Sequence, residues 1–511
     1  MHWLTLPLPR GNIALAFHDR PSAKAWLAMQ PQAQPTHMLA ALGLQIEAIE
    51  ASDLAPTLAV ELLDRLRTAA LPALDAIEPR YIRKPLPMLD DDQRAFDLAQ
   101  RLWLRLGSAY LRLVPQVGAT EKCRLLHRAA CAIRLSQYCH FLAARECPSI
   151  LDQMLFAILD QAASDGLLLQ ALPDKDFPHL GETTITGHLS WAFMLRLIDP
   201  YRLSATQLAV ANRAISRWRE LACFQTAPGD DPRGHSVDIG PLFGAALPES
   251  VPRWIEVHKV SRKIEQRIAA LHAGESPESL KLGRELSPAA NIRLLRMIEA
   301  SLETHSQHRS AEIGEIELAF GAEFAYAAFT GEMLVPSGAF DANSATLAHQ
   351  RVAMFGFDRV STMPTAVKKL NVPSENWLLV DGKALRPADR RGARRQSPCL
   401  IASTSLGAPR LGVMISLQSI AGGALAAELK WYAERIETGR LARPSQPGHA
   451  VPVTPVFLLH DGENCSLIAP SAAGVRLDNG LTLEGTSISH LMPVEVLERG
   501  VDFVRYAIAK Q

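Results

Sequence analysis

With 511 residues the chain is too long for a single core and reads as about two to four domains. Its 48% apolar and 21% charged residues mark a globular protein, and 53 basic against 53 acidic side chains leave no net field to draw it onto nucleic acid or an anionic membrane. Any anion-binding site must therefore be local.

The first residues, Met1-His-Trp-Leu-Thr-Leu-Pro-Leu-Pro-Arg10, lack the basic stretch and the unbroken apolar run of a signal peptide. No segment offers the roughly 18 consecutive apolar residues of a membrane span, so a cytoplasmic protein with no transmembrane segment is expected. Seven cysteines without the spacing of a disulfide framework fit a reducing compartment.

From about residue 20 to 225 apolar residues recur at helical spacing, as at Leu58, Leu62 and Leu66, with Ala69 and Ala70 next on the same face. Asp90 with Gln93, and Ser204 with Gln207, have the form of a capping box ahead of helices over 96–113 and 208–218. Residues 1–225 thus read as a helical domain. The stretch 226–253 is dense in Pro, Gly and Asp, and two helices are expected after it, near 254–272 and 288–304, so 226–304 reads as linker and connecting helices. Beyond about 310 the pattern changes to strands. Residues 315–320 alternate with period two, 453–460 and 464–469 are short β-rich runs, and Asn479-Gly480 within 476–483 is the signal of a tight hairpin. The fold class is therefore α+β, a helical half followed by a mostly β half.

Cys123, Cys131, Cys139 and Cys147 are spaced eight apart, with His127 between the first two. A step of eight advances about 80° beyond two turns, so the four thiols spiral around a helix and do not converge on one metal. They read as small buried hydrophobes, although Cys123, His127 and Cys131 share a stripe. Gly229-Asp-Asp-Pro-Arg-Gly-His235 gathers two carboxylates and an imidazole, but these are also the residue types of a solvated loop. Phosphate-loop, dinucleotide, serine-elbow and zinc-protease motifs are absent, and no nucleophile or base stands out. A hydrolase or metalloenzyme built on His235 or on the 123–131 stripe is a minor reading.

Residues 377–395 differ. A short apolar run is followed within fifteen residues by six cations, Lys383, Arg386, Arg390, Arg391, Arg394 and Arg395, beside Asp381 and Asp389. Guanidinium groups bind phosphate through paired hydrogen bonds and stack on purines, so arginines at a strand end suit a nucleotide phosphate. A solvated charge run is the competing account.

The β region resembles the PilZ family, six-stranded barrels that bind cyclic di-GMP in bacteria and carry an Arg-x-x-x-Arg element and an Asp/Asn-x-Ser-x-x-Gly turn. Two alignments fit. In the first, His305-Ser-Gln-His-Arg309 is the arginine element and the run from Trp377 to Asp381 leads into the second motif, where Lys and Arg stand in place of Ser and Gly. In the second, Arg391-Gly-Ala-Arg-Arg395 is followed by Leu417-Gln-Ser-Ile-Ala-Gly422, which restores the arginines, the serine and the glycine but has Leu417 for the acidic or amide residue. Phe17-His-Asp19, Ala25-Trp-Leu27, Lys84-Pro-Leu-Pro-Met88, Leu197-Ile-Asp-Pro-Tyr-Arg-Leu-Ser204 and Glu428-Leu-Lys-Trp431 also resemble long PilZ-containing proteins with a helical N-terminal half.

The resemblance implies a PilZ-like barrel over 305–445 with a C-terminal β extension over 446–511, and a non-enzymatic cyclic di-GMP receptor or adaptor with no cofactor. The ligand-binding residues would be Arg309, Asp381, Lys383, Arg386, Arg390, Arg391, Arg394 and Arg395: arginines for phosphate and guanine stacking, Asp381 as a guanine acceptor. The helical half would meet a protein partner, and nucleic acid would not be bound. The alternative is a PilZ-like interaction scaffold that binds no nucleotide.

Overall fold

A computed structural model describes residues 3–9, 13–229, 235–303, 314–332, 334, 373–390, 392–405, 407–442, 454–462 and 464–510. The chain divides into two compact units, residues 1–308 and 309–511.

The first unit is built on helices α1 (Arg20–Ala28), α2 (Pro35–Glu50), α3 (Pro56–Ile77), α4 (Asp90–Leu113), α5 (Ala119–Leu142), α6 (Ser149–Ser164), α7 (Ile185–Leu197) and α8 (Ala205–Trp218). The Ser204/Gln207 capping box forms with both its hydrogen bonds and starts α8. At α4 the expected box does not form. The helix begins one residue earlier, with Leu89 as its cap, and Asp90, Asp91 and Asp92 sit in the first turn, where negative charge complements the free N–H groups. Gln93 turns instead to Asp97, 3.0 Å away. Helices α4 and α5 approach closely because Gly107 has no side chain: a Cβ there would lie 2.6 Å from Ile133 Cγ1.

Strands β1 (Leu172–Pro173) and β2 (Glu182–Thr183) pair between α6 and α7, while β3 (Cys223–Gln225), β4 (Ser236–Asp238) and β5 (Trp254–Glu256) form a three-stranded sheet in the stretch read as linker. Helices α9 (His258–His272) and α10 (Pro288–Glu303) follow. Cys123, Cys131, Cys139 and Cys147 are all buried, as their apolar reading requires.

The helical core also contains a charge network. Asp174 accepts from Arg67 of α3 at 3.2 and 2.5 Å and pairs with Arg128 of α5. Asp64 accepts from Tyr110 of α4 at 2.8 Å and from Arg124 of α5. Arg67 is fully buried, and Asp174 is 3% exposed. Burial alone would raise the Asp174 carboxyl, but Arg67 and Arg128 outweigh it and hold it below the ordinary carboxylate value.

Three imidazoles are buried in the same unit, and burial pushes His127 and His140 down to about 4 and His188 well below its ordinary value. A histidine depressed on folding contributes stability above its unfolded value of 6.5 that is lost as pH falls towards its folded value. Asp152, raised by burial to about 6, has the opposite sign, as do Glu50 and Glu78, raised by burial: their contribution is present at low pH and lost as pH rises. The imidazoles carry the larger shifts. Acidification from pH 7 to pH 5 is therefore expected to lower the urea midpoint of the helical unit, followed by far-UV circular dichroism; a rise would contradict this assignment.

In the second unit, β6 (Gly314–Phe320), β7 (Glu375–Val380), β8 (Lys383–Arg386), β9 (Cys399–Ser403), β10 (Arg410–Ser419) and β11 (Leu425–Trp431) close an antiparallel barrel in the order β10-β11-β8-β7-β6-β9. A second closed barrel follows, with β12 (Arg435–Ala442), β13 (Thr454–Asp461), β14 (Asn464–Pro470), β15 (Leu481–Glu484), β16 (His490–Arg499) and β17 (Phe503–Lys510) in the order β12-β13-β14-β17-β16-β15. The strands that continue beyond the first barrel are thus themselves a barrel, and Arg435–Ala442, placed by sequence in the PilZ-like segment, pairs within it. Helix α11 (Ala322–Thr330) packs Ala325 and Tyr326 into a cluster with Leu400 and Leu411 of the first barrel and Phe457, Ile468 and Phe503 of the second. Asp502 locks the two together by accepting from the Leu400 N–H at 3.0 Å.

Asn479-Gly480 does not turn a hairpin. It lies in an irregular approach to β15, after Asp478, whose backbone is left-handed at φ 58° and whose N–H bonds to the Pro493 carbonyl 2.8 Å away. The hairpin partner of β15 is β16, reached through residues 485–489.

Candidate functional site

The cations of residues 383–395 fall at the two ends of the β7–β8 hairpin: Lys383 stands at its turn, beside Asp381, and Arg386, Arg390, Arg394 and Arg395 at the opposite end. Strands β7 and β8 are joined by a two-residue turn at Asp381 (φ 49°) and Gly382 (φ 75°), the geometry a tight hairpin requires. Asp381 and Lys383 are exposed there. At the other end of β8 the chain enters a loop, 387–398, that returns to β9.

Glu375, the first residue of β7, organises that loop. Its Oε2 accepts from Arg386 Nη1 at 2.7 Å, and its Oε1 accepts from Arg395 at 3.0 and 2.7 Å and from the Ala393 N–H at 3.0 Å. Arg386 also donates to the Ala393 carbonyl at 2.9 Å and is only 3% exposed, with its guanidinium 5.4 Å from the ring centre of fully buried Trp377. Arg395 lies over the Phe320 ring at 3.9 Å. Burial would raise Glu375, but Arg395 and Arg386 hold its carboxyl below the ordinary value, so it stays an anion between two cations. Gly392 lets the loop close: a Cβ would stand 2.4 Å from Arg386 Nη1, a group that cannot swing away while Glu375 holds it.

Arg390 makes a looser contact, donating to Glu315 of β6 at 2.9 Å and to the Asn376 carbonyl at 3.3 Å. Glu315 is 64% exposed, so this ion pair is solvent-screened and readily exchanged for another anion. Arg394 is exposed. Arg309 and Arg391 lie outside the described residues, as does the 305–309 element. The structure thus separates the expected residues into two that brace the loop, Arg386 and Arg395, and three exposed or loosely held cations, Lys383, Arg390 and Arg394. Glu375 and Glu315 were not singled out by sequence, because nothing local marks a glutamate as the partner of arginines 11 to 75 residues away.

The second motif of the later alignment comes close to this loop. Leu417 is 1% exposed in β10, opposite Ala427, and contributes packing. Gly422 and Gly423 turn the chain between β10 and β11 with φ of 75° and 82°, and the Cβ position of Gly423 is 3.7 Å from Ala388. Arg386 pairs with Leu425 just beyond that turn. Backbone without side chains therefore adjoins the arginine loop, which is where a ligand approaches a turn most closely.

In the helical unit a cavity of about 490 Å³ is bordered by Arg124, Arg128, Lys175, Asp174 and Glu182. His127, of the cysteine stripe, is engaged with Thr183 at 2.7 Å. His235 has its ring 5.0 Å from that of His258, and residues 230–234 of its motif lie outside the described residues. Among the described residues no group of three His, Cys, Asp or Glu side chains is arranged to hold a metal ion, and none of their helices is long and apolar enough to cross a membrane.

No curated protein and no solved structure matches the chain. Residues 21–229, the bulk of the helical unit, match the family model described as the N-terminal domain of the cyclic-di-GMP receptor FimW.

Proposed function

We propose that the protein is a cytoplasmic, non-enzymatic receptor or adaptor for cyclic di-GMP, with the dinucleotide held at the arginine loop of the first, PilZ-like barrel. The observation that carries this reading is the match of the helical unit to the N-terminal domain of a protein described as a cyclic-di-GMP receptor. The loop adds chemical support. Arg386 and Arg395 are fixed by Glu375 and form a rigid frame, while Arg390 and Arg394 supply exchangeable positive charge for two phosphates, with Arg391 in the same stretch of sequence. Arg395 contributes a preordered guanidinium plane for stacking, and Asp381, at the turn at the other end of β8, would meet a guanine edge only in an extended dinucleotide. Arg309 completes the set from the segment before β6. The helical unit is the surface offered to a protein partner.

A second reading, favoured by the location of the match itself, puts the nucleotide in the cavity of the helical unit at Arg124 and Lys175. Thermal unfolding with and without cyclic di-GMP separates the two. Ligand should raise the unfolding temperature of the wild-type chain, and Arg390→Ala with Arg394→Ala should abolish the rise while Lys175→Ala keeps it. A rise that survives the double variant would move the site to the helical unit, and no rise in any form would leave a scaffold.

A further inference from the structure

The second barrel holds an arrangement that the nucleotide reading does not use. Glu437, His460 and Cys465 stand on the adjacent strands β12, β13 and β14, with His460 directly opposite Cys465 in the ladder. Each lies an even number of residues from a core position of its own strand, Leu441, Leu458 and Leu467, so all three point to the interior side at one end of the barrel. Cys465 Sγ is 3.0 Å from His460 Nδ1, and His460 Nε2 is 2.9 Å from Glu437 Oε2. Glu437 is fixed in turn by Ser487, whose N–H and hydroxyl both donate to it at 2.6 Å. Burial would raise the Glu437 carboxyl, but the Ser487 and His460 hydrogen bonds outweigh it and keep it an anion. A carboxylate at Nε2 selects the tautomer with the proton on that nitrogen and leaves Nδ1 with a lone pair facing the thiol. Nucleophile, base and orienting acid are therefore in sequence. Cys465 is only half-buried, and its residue borders a cavity of about 760 Å³ together with Asn464, Ser466 and Arg505.

We propose that Cys465 is a reactive thiol, activated by His460 and Glu437, whose substrate class is small hydroperoxides. His460 Nδ1 takes the thiol proton, and the sulfur attacks the terminal oxygen of the hydroperoxide. The O–O bond breaks as the S–O bond forms, and the departing alkoxide or hydroxide takes the proton from His460. Sulfur is oxidised by two electrons to the sulfenic acid, and the peroxide is reduced to an alcohol or water.

The chain carries its own reference, since Cys223 is exposed whereas Cys465 is half-buried. If access alone governed reactivity, Cys223 would react faster. The full-length protein should be treated at neutral pH with hydrogen peroxide plus dimedone, and separately with iodoacetamide, and each cysteine quantified by peptide mass spectrometry. Cys465 should be modified roughly tenfold faster than Cys223 by both reagents. His460→Ala should remove that advantage, and Glu437→Gln, a smaller change that keeps the side-chain shape, should reduce it several-fold. A Cys465 rate equal to or below that of Cys223, or a rate unchanged in Glu437→Gln and His460→Ala, would overturn the proposal.

Discussion

Replacing Asp174 by alanine is expected to destabilise the helical unit by about 3 kcal/mol, because it takes the nearest carboxylate from two buried guanidinium groups at once, leaving Arg67 with Asp176 at 3.1 Å and Arg128 with Asp64 at 3.7 Å. Arg67 has no exposure at all and Arg128 only 5%, so neither can turn to water when its carboxylate is lost. The surroundings add to the cost. Tyr110 already donates to Asp64, and Asp64 is already shared between Arg124 and Arg128, so it cannot take over the close contacts that Asp174 makes. Urea denaturation monitored by far-UV circular dichroism is the measurement. A loss below about 1 kcal/mol for Asp174→Ala would show that the network is solvated or dispensable.

Glu375→Ala should cost the first barrel about 3 kcal/mol, whereas Glu315→Ala, at the exposed pair with Arg390, should cost no more than about 1 kcal/mol. Glu375 is the common acceptor for Arg386, Arg395 and the Ala393 N–H, and Arg386 is buried against Trp377. Without it the loop loses its frame. The consequence for binding discriminates between two physical pictures. If the arginines acted only as a pool of positive charge, deleting a neighbouring carboxylate would strengthen nucleotide binding. If they act as a preordered set, the same deletion weakens it, although Glu375 itself is turned inward to the guanidinium groups. We expect weakening, read as a smaller ligand-induced rise in unfolding temperature, and unfolding of the barrel followed by Trp377 fluorescence checks the stability side.

Much of the architecture could be read from local pattern. The Leu58–Leu62–Leu66 stripe and the Ser204/Gln207 box reflect interactions within one or two turns, and the structure has α3 and α8 where they point. The alternation of 315–320 likewise gives β6. What escaped depended on long-range pairing. The strands β3, β4 and β5 are three residues each, too short to show a period, so their segment read as a linker. Asn479-Gly480 carried a local hairpin signal that the Asp478 bond to Pro493 overrides. The arginine cluster was conspicuous, but its meaning was not, because whether Arg386 faces a ligand or a carboxylate depends on the β7–β8 register that puts Glu375 at its side. The same holds for Cys465: an imidazole five residues earlier means little until the β13–β14 ladder sets the two side chains opposite each other.

Calorimetric titration of the full-length chain with cyclic di-GMP tests the receptor reading most directly. Saturable binding by the wild-type protein is expected, at least tenfold weaker when Arg390 and Arg394 are both alanine. The absence of any binding heat from the wild-type chain at ligand concentrations on the order of 100 µM would contradict it.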